Sequence, residues 1–195
     1  MIQDEYYIIS RENNNSYPLF AWDMDSSLIL SKTPIVIKEP IRLRLRKPIS
    51  AHFEWVDFHL SPYPVFSQHI SKALMPINIY GIQFIPTKVR HPKLSDEIKD
   101  YYLMHVWNQI SCLDTNKSEL DYDEVDGQIW DIEKLVLDED KLENIDLSKR
   151  LIFELKEKTS VLLVHQSIKA IILELKPKGC RFFPIKSWYS DIIFD

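Results

Sequence analysis

Val65-Phe-Ser-Gln-His-Ile-Ser-Lys-Ala-Leu-Met-Pro-Ile-Asn-Ile-Tyr-Gly-Ile-Gln-Phe-Ile-Pro-Thr-Lys88 decides the fold, because the chain writes it twice. At an offset of 98 residues, without a gap, comes Leu163-Val-His-Gln-Ser-Ile-Lys-Ala-Ile-Ile-Leu-Glu-Leu-Lys-Pro-Lys-Gly-Cys-Arg-Phe-Phe-Pro-Ile-Lys186. Gln68 matches Gln166, Ile70 matches Ile168, Gly81 matches Gly179, Phe84 matches Phe182, Pro86 matches Pro184 and Lys88 matches Lys186. Each copy reads as a short apolar strand ending at Ser67 or His165, then a helix. Ser67 is read as an N-cap whose hydroxyl accepts from the first free amides. The helix stripe is Ile70, Ala73, Leu74 and Ile77 in one copy and Ile168, Ile171, Ile172 and Leu175 in the other. A glycine follows, where a positive φ costs little. The alternation of Ile82 and Phe84 with Gln83 opens a second strand. Proline two residues after the phenylalanine predicts a strand end or a sheet edge.

Further strands are predicted outward from the repeat. Tyr101 to Ile110 reads as one strand, with His105 packed or at an edge rather than ligating a metal. Leu28 to Ile37, Ile129 to Leu137 and Arg150 to Leu155 add others. Ile41, Leu43 and Leu45 alternate with Arg42, Arg44 and Arg46, which puts the arginines on one half-exposed face, free to pair with acids of the same chain. Strands and helices mix without a regular βαβ rhythm. The expected class is α+β, with mostly antiparallel sheets, a few short helices and two similar strand-helix-strand units. Residues 1–50 are expected as an N-terminal strand-rich segment packed on a main domain, 51–195, that holds the repeat 65–88 and 163–186.

Composition narrows the chemistry. The chain has 195 residues, 45% hydrophobic and 27% charged, enough for a sizeable core. Its acidic start, Met1-Ile2-Gln3-Asp4-Glu5, lacks the basic and apolar stretches of a secretion signal, so a soluble cytosolic protein is expected. Only Gly81, Gly127 and Gly179 occur, far apart, so glycine-rich phosphate loops are excluded. Cys112 and Cys180 read as ordinary thiols, since no Cys pair has zinc spacing. No Gly-x-Ser-x-Gly elbow and no His-x-x-x-His occurs. Phe20-Ala-Trp-Asp23-Met-Asp25-Ser-Ser27 resembles the first motif of haloacid-dehalogenase-type phosphatases, with Asp23 as nucleophile and Asp25 as acid/base. Ser26 replaces the usual glycine there, and a turn capped by Asp23 or Asp25 is the plainer reading. No catalytic residue, metal or cofactor is expected.

The net charge of −5 hides a strong asymmetry. Residues 114–146 carry 13 acids and three lysines, whereas the flanking segments are net positive. Such a block repels nucleic acid and attracts basic surfaces. It reads either as a solvated loop or as a docking face. Trp22, Trp55, Trp107, Trp130 and Trp188 are spread along the chain as core or interface residues.

A resemblance sharpens the docking reading. Val65-Phe-Ser67, the Gly81 to Pro86 strand, Tyr101 to Val106 and Lys134 to Asp138 occur in the order seen in immunity protein family eleven of bacterial polymorphic toxin systems, formerly a domain of unknown function. The likeness spans roughly residues 55–187, with His105 where the family usually has Asn and His165 where it has Ser. It implies an inhibitor that binds and neutralises a cognate toxin in the bacterial cytosol, with no enzymatic activity of its own. Such toxins are often nucleases of the His-Asn-His kind, whose phosphate-binding surfaces are basic. Asp121, Tyr122, Asp123, Glu124, Asp126 and Trp130 are the expected toxin contacts, with no membrane or nucleic acid as partner. The alternatives are the phosphatase and a regulatory or scaffold module that binds no toxin.

Overall fold

The computed structural model describes residues 1–195 apart from Leu28, Leu30, Ser95, Asp96, Asp191 and residues 193–195. In chain order come β1 Tyr6–Arg11, β2 Phe20–Trp22, β3 Ile41–Leu45, β4 Phe58–His59, β5 Val65–Ser67, α1 Gln68–Leu74, β6 Ile82–Arg90, β7 Ile98–Val106 and β8 Gln109–Ile110. They are followed by β9 Glu119–Tyr122, β10 Ile129–Lys134, α2 Glu139–Glu143, β11 Ile152–Leu155, β12 Lys158–His165, α3 Gln166–Glu174 and β13 Cys180–Pro184. One sheet has the order β13-β1-β12-β11-β8, a second β2-β3-β6-β7-β5-β4, and β9 and β10 form a separate hairpin. Pairing is antiparallel except for β3 with β6 and β8 with β11. The architecture is α+β.

The two repeated segments fold alike, as β5-α1-β6 and β12-α3-β13. In each, the two strands are parallel but not adjacent, because a third strand lies antiparallel between them: β7 in the first unit and β1 in the second. The registers coincide. Tyr102 on β7 faces Phe66 and Pro86, and Tyr7 on β1 faces Val164 and Pro184, the counterparts of Phe66 and Pro86. The inserted strands therefore align as Tyr101-Tyr-Leu-Met104 with Tyr6-Tyr-Ile-Ile9. A further strand extends the match: β4 pairs Phe58 with Phe66, and β11 pairs Ile152 with Val164.

Individual bonds repeat as well. Ser67 N donates to Asp57 O at 2.8 Å and His165 N to Leu151 O at 2.9 Å. Trp107 N donates to Gly81 O and Glu12 N to Gly179 O, both at 3.0 Å. The buried Tyr101 hydroxyl donates to Val56 O at 2.7 Å, while Arg150, the counterpart of Val56, donates to the Tyr6 hydroxyl at 2.6 Å.

The units meet helix to helix, with α1 packed on α3. Their shared core takes Phe66, Ile70, Leu74 and Met104 from one unit and Ile9, Val164, Ile168 and Ile172 from the other. Period-two alternation sends Tyr101, Leu103 and Val65 to a separate core on the outer face of the second sheet. Tyr6, Ile8 and Leu163 go to a third core outside the first sheet.

Four sequence expectations change. Ser67 occupies the N-cap position of α1, but its buried hydroxyl caps nothing and has no partner; in the second unit the His165 side chain accepts from Ser167 N. Pro184 ends β13 at a sheet edge as expected, but Pro86 lies inside β6. It is tolerated because the β3 partnership begins only at Thr87, so the missing N–H costs no ladder bond. The Tyr101–Ile110 strand is two: the chain leaves the second sheet after Val106, and Asn108 amide bonds to Lys149 O (2.8 Å) and Ile152 O (3.0 Å) carry it into the first sheet as β8. The strand expected at Leu28 to Ile37 falls partly outside the described residues, and residues 31–37 are irregular. Side chains hold them instead, as Gln83 bonds both backbone groups of Ile35.

Candidate functional site

The acidic block builds the β9–β10 hairpin. Its register sets Tyr122 opposite Ile129, Asp121 opposite Asp131 and Glu119 opposite Lys134. The tip is shaped by its own acids. Asp123 Oδ1 accepts from Val125 N at 2.7 Å and Asp126 N at 3.3 Å, Asp126 Oδ1 accepts from Gln128 N at 2.9 Å, and Gly127 turns the chain at φ 67°. Asp123 and Asp126 therefore serve the turn as well as the charge. Leu120, Ile129 and Ile132 anchor the hairpin on the core beneath. Lys158 fastens it from the side, its amine donating to Ile129 O at 2.8 Å and Trp130 O at 2.7 Å.

The outer side is open. Trp130 is 71% exposed, Val125 95% and Tyr122 52%. The block's three lysines are all used locally, Lys117 with Asp114 at 2.8 Å, Lys134 with Glu119 at 3.6 Å and Lys141 with Asp138 at 3.1 Å. These partners hold the Asp114 and Asp138 carboxyls below the usual carboxylate range. Among the described residues no cation pairs with Asp121, Asp123, Glu124, Asp126, Asp131 or Glu133. Asp121 facing Asp131 is a like-charge cross-strand pair, which disfavours the free hairpin. The structure thus brings the six expected contact residues onto one hairpin. Sequence reasoning missed Asp131, Val125 and the anchor Lys158. The alternation of Asp131 and Glu133 with Ile132 was the available signal for the first; nothing local to Lys158 announced it.

Other chemistry-bearing groups are engaged elsewhere. Asp23 accepts from Arg90 Nε (2.5 Å) and Nη2 (3.0 Å), and that guanidinium, with Arg44 and Arg42 nearby, keeps its carboxyl ionised well below the usual range. Asp25 closes a turn by accepting from Ser27 N (2.9 Å) and Ser27 Oγ (3.1 Å). Burial pushes the Cys112 thiol up to about 12 and raises that of Cys180 as well. His105 is buried, with Nε2 at 2.9 Å from Thr33 O. Among the described residues no cluster of His, Cys, Asp or Glu could hold a metal ion. No helix among them is long and apolar enough to cross a membrane.

No curated protein matches the chain. The sequence model of the Immunity protein family (Imm11) matches residues 2–189, so it covers both units and the N-terminal strands as well as the hairpin. The chain belongs to the Imm11 immunity protein family.

Proposed function

We propose that this immunity protein neutralises a bacterial toxin in the cytosol by covering a basic surface of it with the β9–β10 hairpin. The contacts are Asp121, Tyr122, Asp123, Glu124, Asp126 and Trp130, joined by Asp131 and Val125. One observation carries the reading: six acids without a cationic partner and three large exposed apolar side chains share one hairpin. Charge of one sign accelerates encounter with a basic partner, and aromatic anchors supply the short-range energy of a tight interface. A nuclease is the favoured target class, because a surface that binds phosphate must be basic. Inhibition is by occlusion, with no covalent bond made or broken.

The test replaces Asp121 by Asn and Glu124 by Gln together, sparing the turn-forming Asp123 and Asp126. Binding to the inactivated toxin encoded by the neighbouring gene is followed across salt concentrations. The association rate should fall about tenfold at low salt, and its salt dependence should flatten. Unchanged rates at every salt concentration would reject the electrostatic reading.

A further inference from the structure

The likeness of the two units exposes a place where they differ. In the first unit Met104 N donates to Pro64 O at 2.8 Å, so β7 stays joined to the chain entering β5 beyond their last register pair. The next residue, His105, is covered: it bonds Thr33 O and lies against the rings of Tyr63 and Trp107. Opposite it on β6, Gln83 grips Ile35, its Nε2 donating to Ile35 O at 2.9 Å and its Oε1 accepting from Ile35 N at 3.3 Å. Residues 31–37 thus lie across the outer face of the sheet, held by backbone groups that side chains satisfy.

The counterpart of His105 in the second unit is Ser10, which faces Arg181 on β13. Here the register of β1 with β12 stops at Ile8 and Leu163, and Thr159, Ser160 and Val161 pair with neither β1 nor β11. The strands part around a cleft of about 380 Å³, whose lining includes Ser10, Ser160, Trp130, Trp188 and Asp131, together with Lys158, whose amine is taken up by the carbonyls of Ile129 and Trp130. Two polar groups in its lining are orphaned. Ser10 is 1% exposed and Trp188 7%, and neither Ser10 Oγ nor Trp188 Nε1 has a hydrogen-bond partner. A buried donor without a partner costs free energy that an incoming acceptor would recover.

We propose that the cleft between β1 and β12 receives a non-helical backbone segment of the toxin, next to the position that residues 31–37 fill in the first unit, with a basic side chain of that segment against Asp131. A main-chain carbonyl of the segment accepts from Trp188 Nε1, and Ser10 completes its hydrogen bonding with the same backbone. Trp130 at the mouth packs over the segment, and the acids of the adjoining hairpin select a cationic sequence. This inference rests on the hairpin being the toxin-facing surface, and it adds a directional grip to a long-range attraction.

Two measurements test it, both with the inactivated toxin encoded by the neighbouring gene. First, protein labelled with nitrogen-15 at tryptophan is titrated, the Trp188 indole signal being assigned by Trp188→Phe; that N–H resonance should move downfield in the complex. Second, Ser160→Trp fills the cleft from an exposed wall position and should weaken binding roughly tenfold or more while leaving the salt dependence at its parent slope. An unmoved Trp188 resonance in the saturated complex, or parent-like affinity of folded Ser160→Trp, overturns the proposal. If hairpin neutralisation still flattens the salt dependence in that event, the hairpin reading stands and only the cleft reading falls. Should Ser160→Trp not fold, the Trp188 resonance alone decides. A toxin that fails to bind at all removes both readings.

Discussion

His59 sits where the second unit has Phe153, since each faces the same position of the neighbouring strand. It is buried and stacked on Phe20 with ring centroids 3.5 Å apart. Burial, with Arg11 adding repulsion, pushes its pKa down to about 3 from 6.5. The unfolded chain therefore takes up a proton between those values that the folded chain refuses. Stability is complete above pH 6.5 and declines as pH falls towards 3, by roughly 1.4 kcal/mol per unit. Urea unfolding at pH 7.5 and pH 5 should show the parent losing about 2 kcal/mol more than His59→Phe. Gly179 gives a second residue-scale prediction. Its φ is 81°, and an added Cβ would lie 2.7 Å from Val56 Cβ. Gly179→Ala should cost about 3 kcal/mol in the same assay, from left-handed strain plus the clash. The positive φ at Gly81 and Gly179 was legible because only glycine adopts it cheaply. The absence of a Ser67 cap was not, because nothing in the sequence says that its hydroxyl is buried rather than turned to the free amides.

At the scale of elements, the proposed toxin-facing role of the hairpin sets function against stability. Asp121 faces Asp131, so Asp121→Asn alone should raise the unfolding free energy of the free protein by roughly 0.5 kcal/mol, measured in urea, while slowing toxin association. A variant that gains neither stability nor loses association speed would mean that the facing acids do not feel each other. The β strands around the repeat were readable from alternation: β3, with Ile41, Leu43 and Leu45 buried and Arg42 exposed, is the clear case; the nearby acid Asp23 pairs not with the β3 arginines but with Arg90 on the adjoining β6. Residues 31–37 were misread for a physical reason. Their backbone partners are the side chains of Gln83 and His105, more than forty residues away, and such bonds leave no period in the local sequence. The crossing at Asn108 escaped for the same reason.

At the scale of the whole molecule, the repeat was legible only in part. The contiguous segments align at one offset, so they were seen. The strands completing them did not, because Tyr6-Tyr-Ile-Ile9 precedes its unit and Tyr101-Tyr-Leu-Met104 follows its own; only the registers make them equivalent. That equivalence predicts that order along the chain is dispensable. A variant with residues 1–11 moved to the C-terminal side of residue 190 through a flexible linker should fold to the same circular dichroism spectrum with one cooperative urea transition. Loss of that transition would make the coincidence of registers an accident of two unrelated strands.

The same arrangement has a kinetic consequence. β1 is made well before both neighbours it binds, β12 and β13; Ile8, for instance, pairs with Leu163, 155 residues further along the chain. During synthesis the first unit can close as soon as β7 emerges, while β1 waits without neighbours until β12 and β13 follow. The second unit therefore closes only once residue 184 has left the exit tunnel, long after the first could have folded.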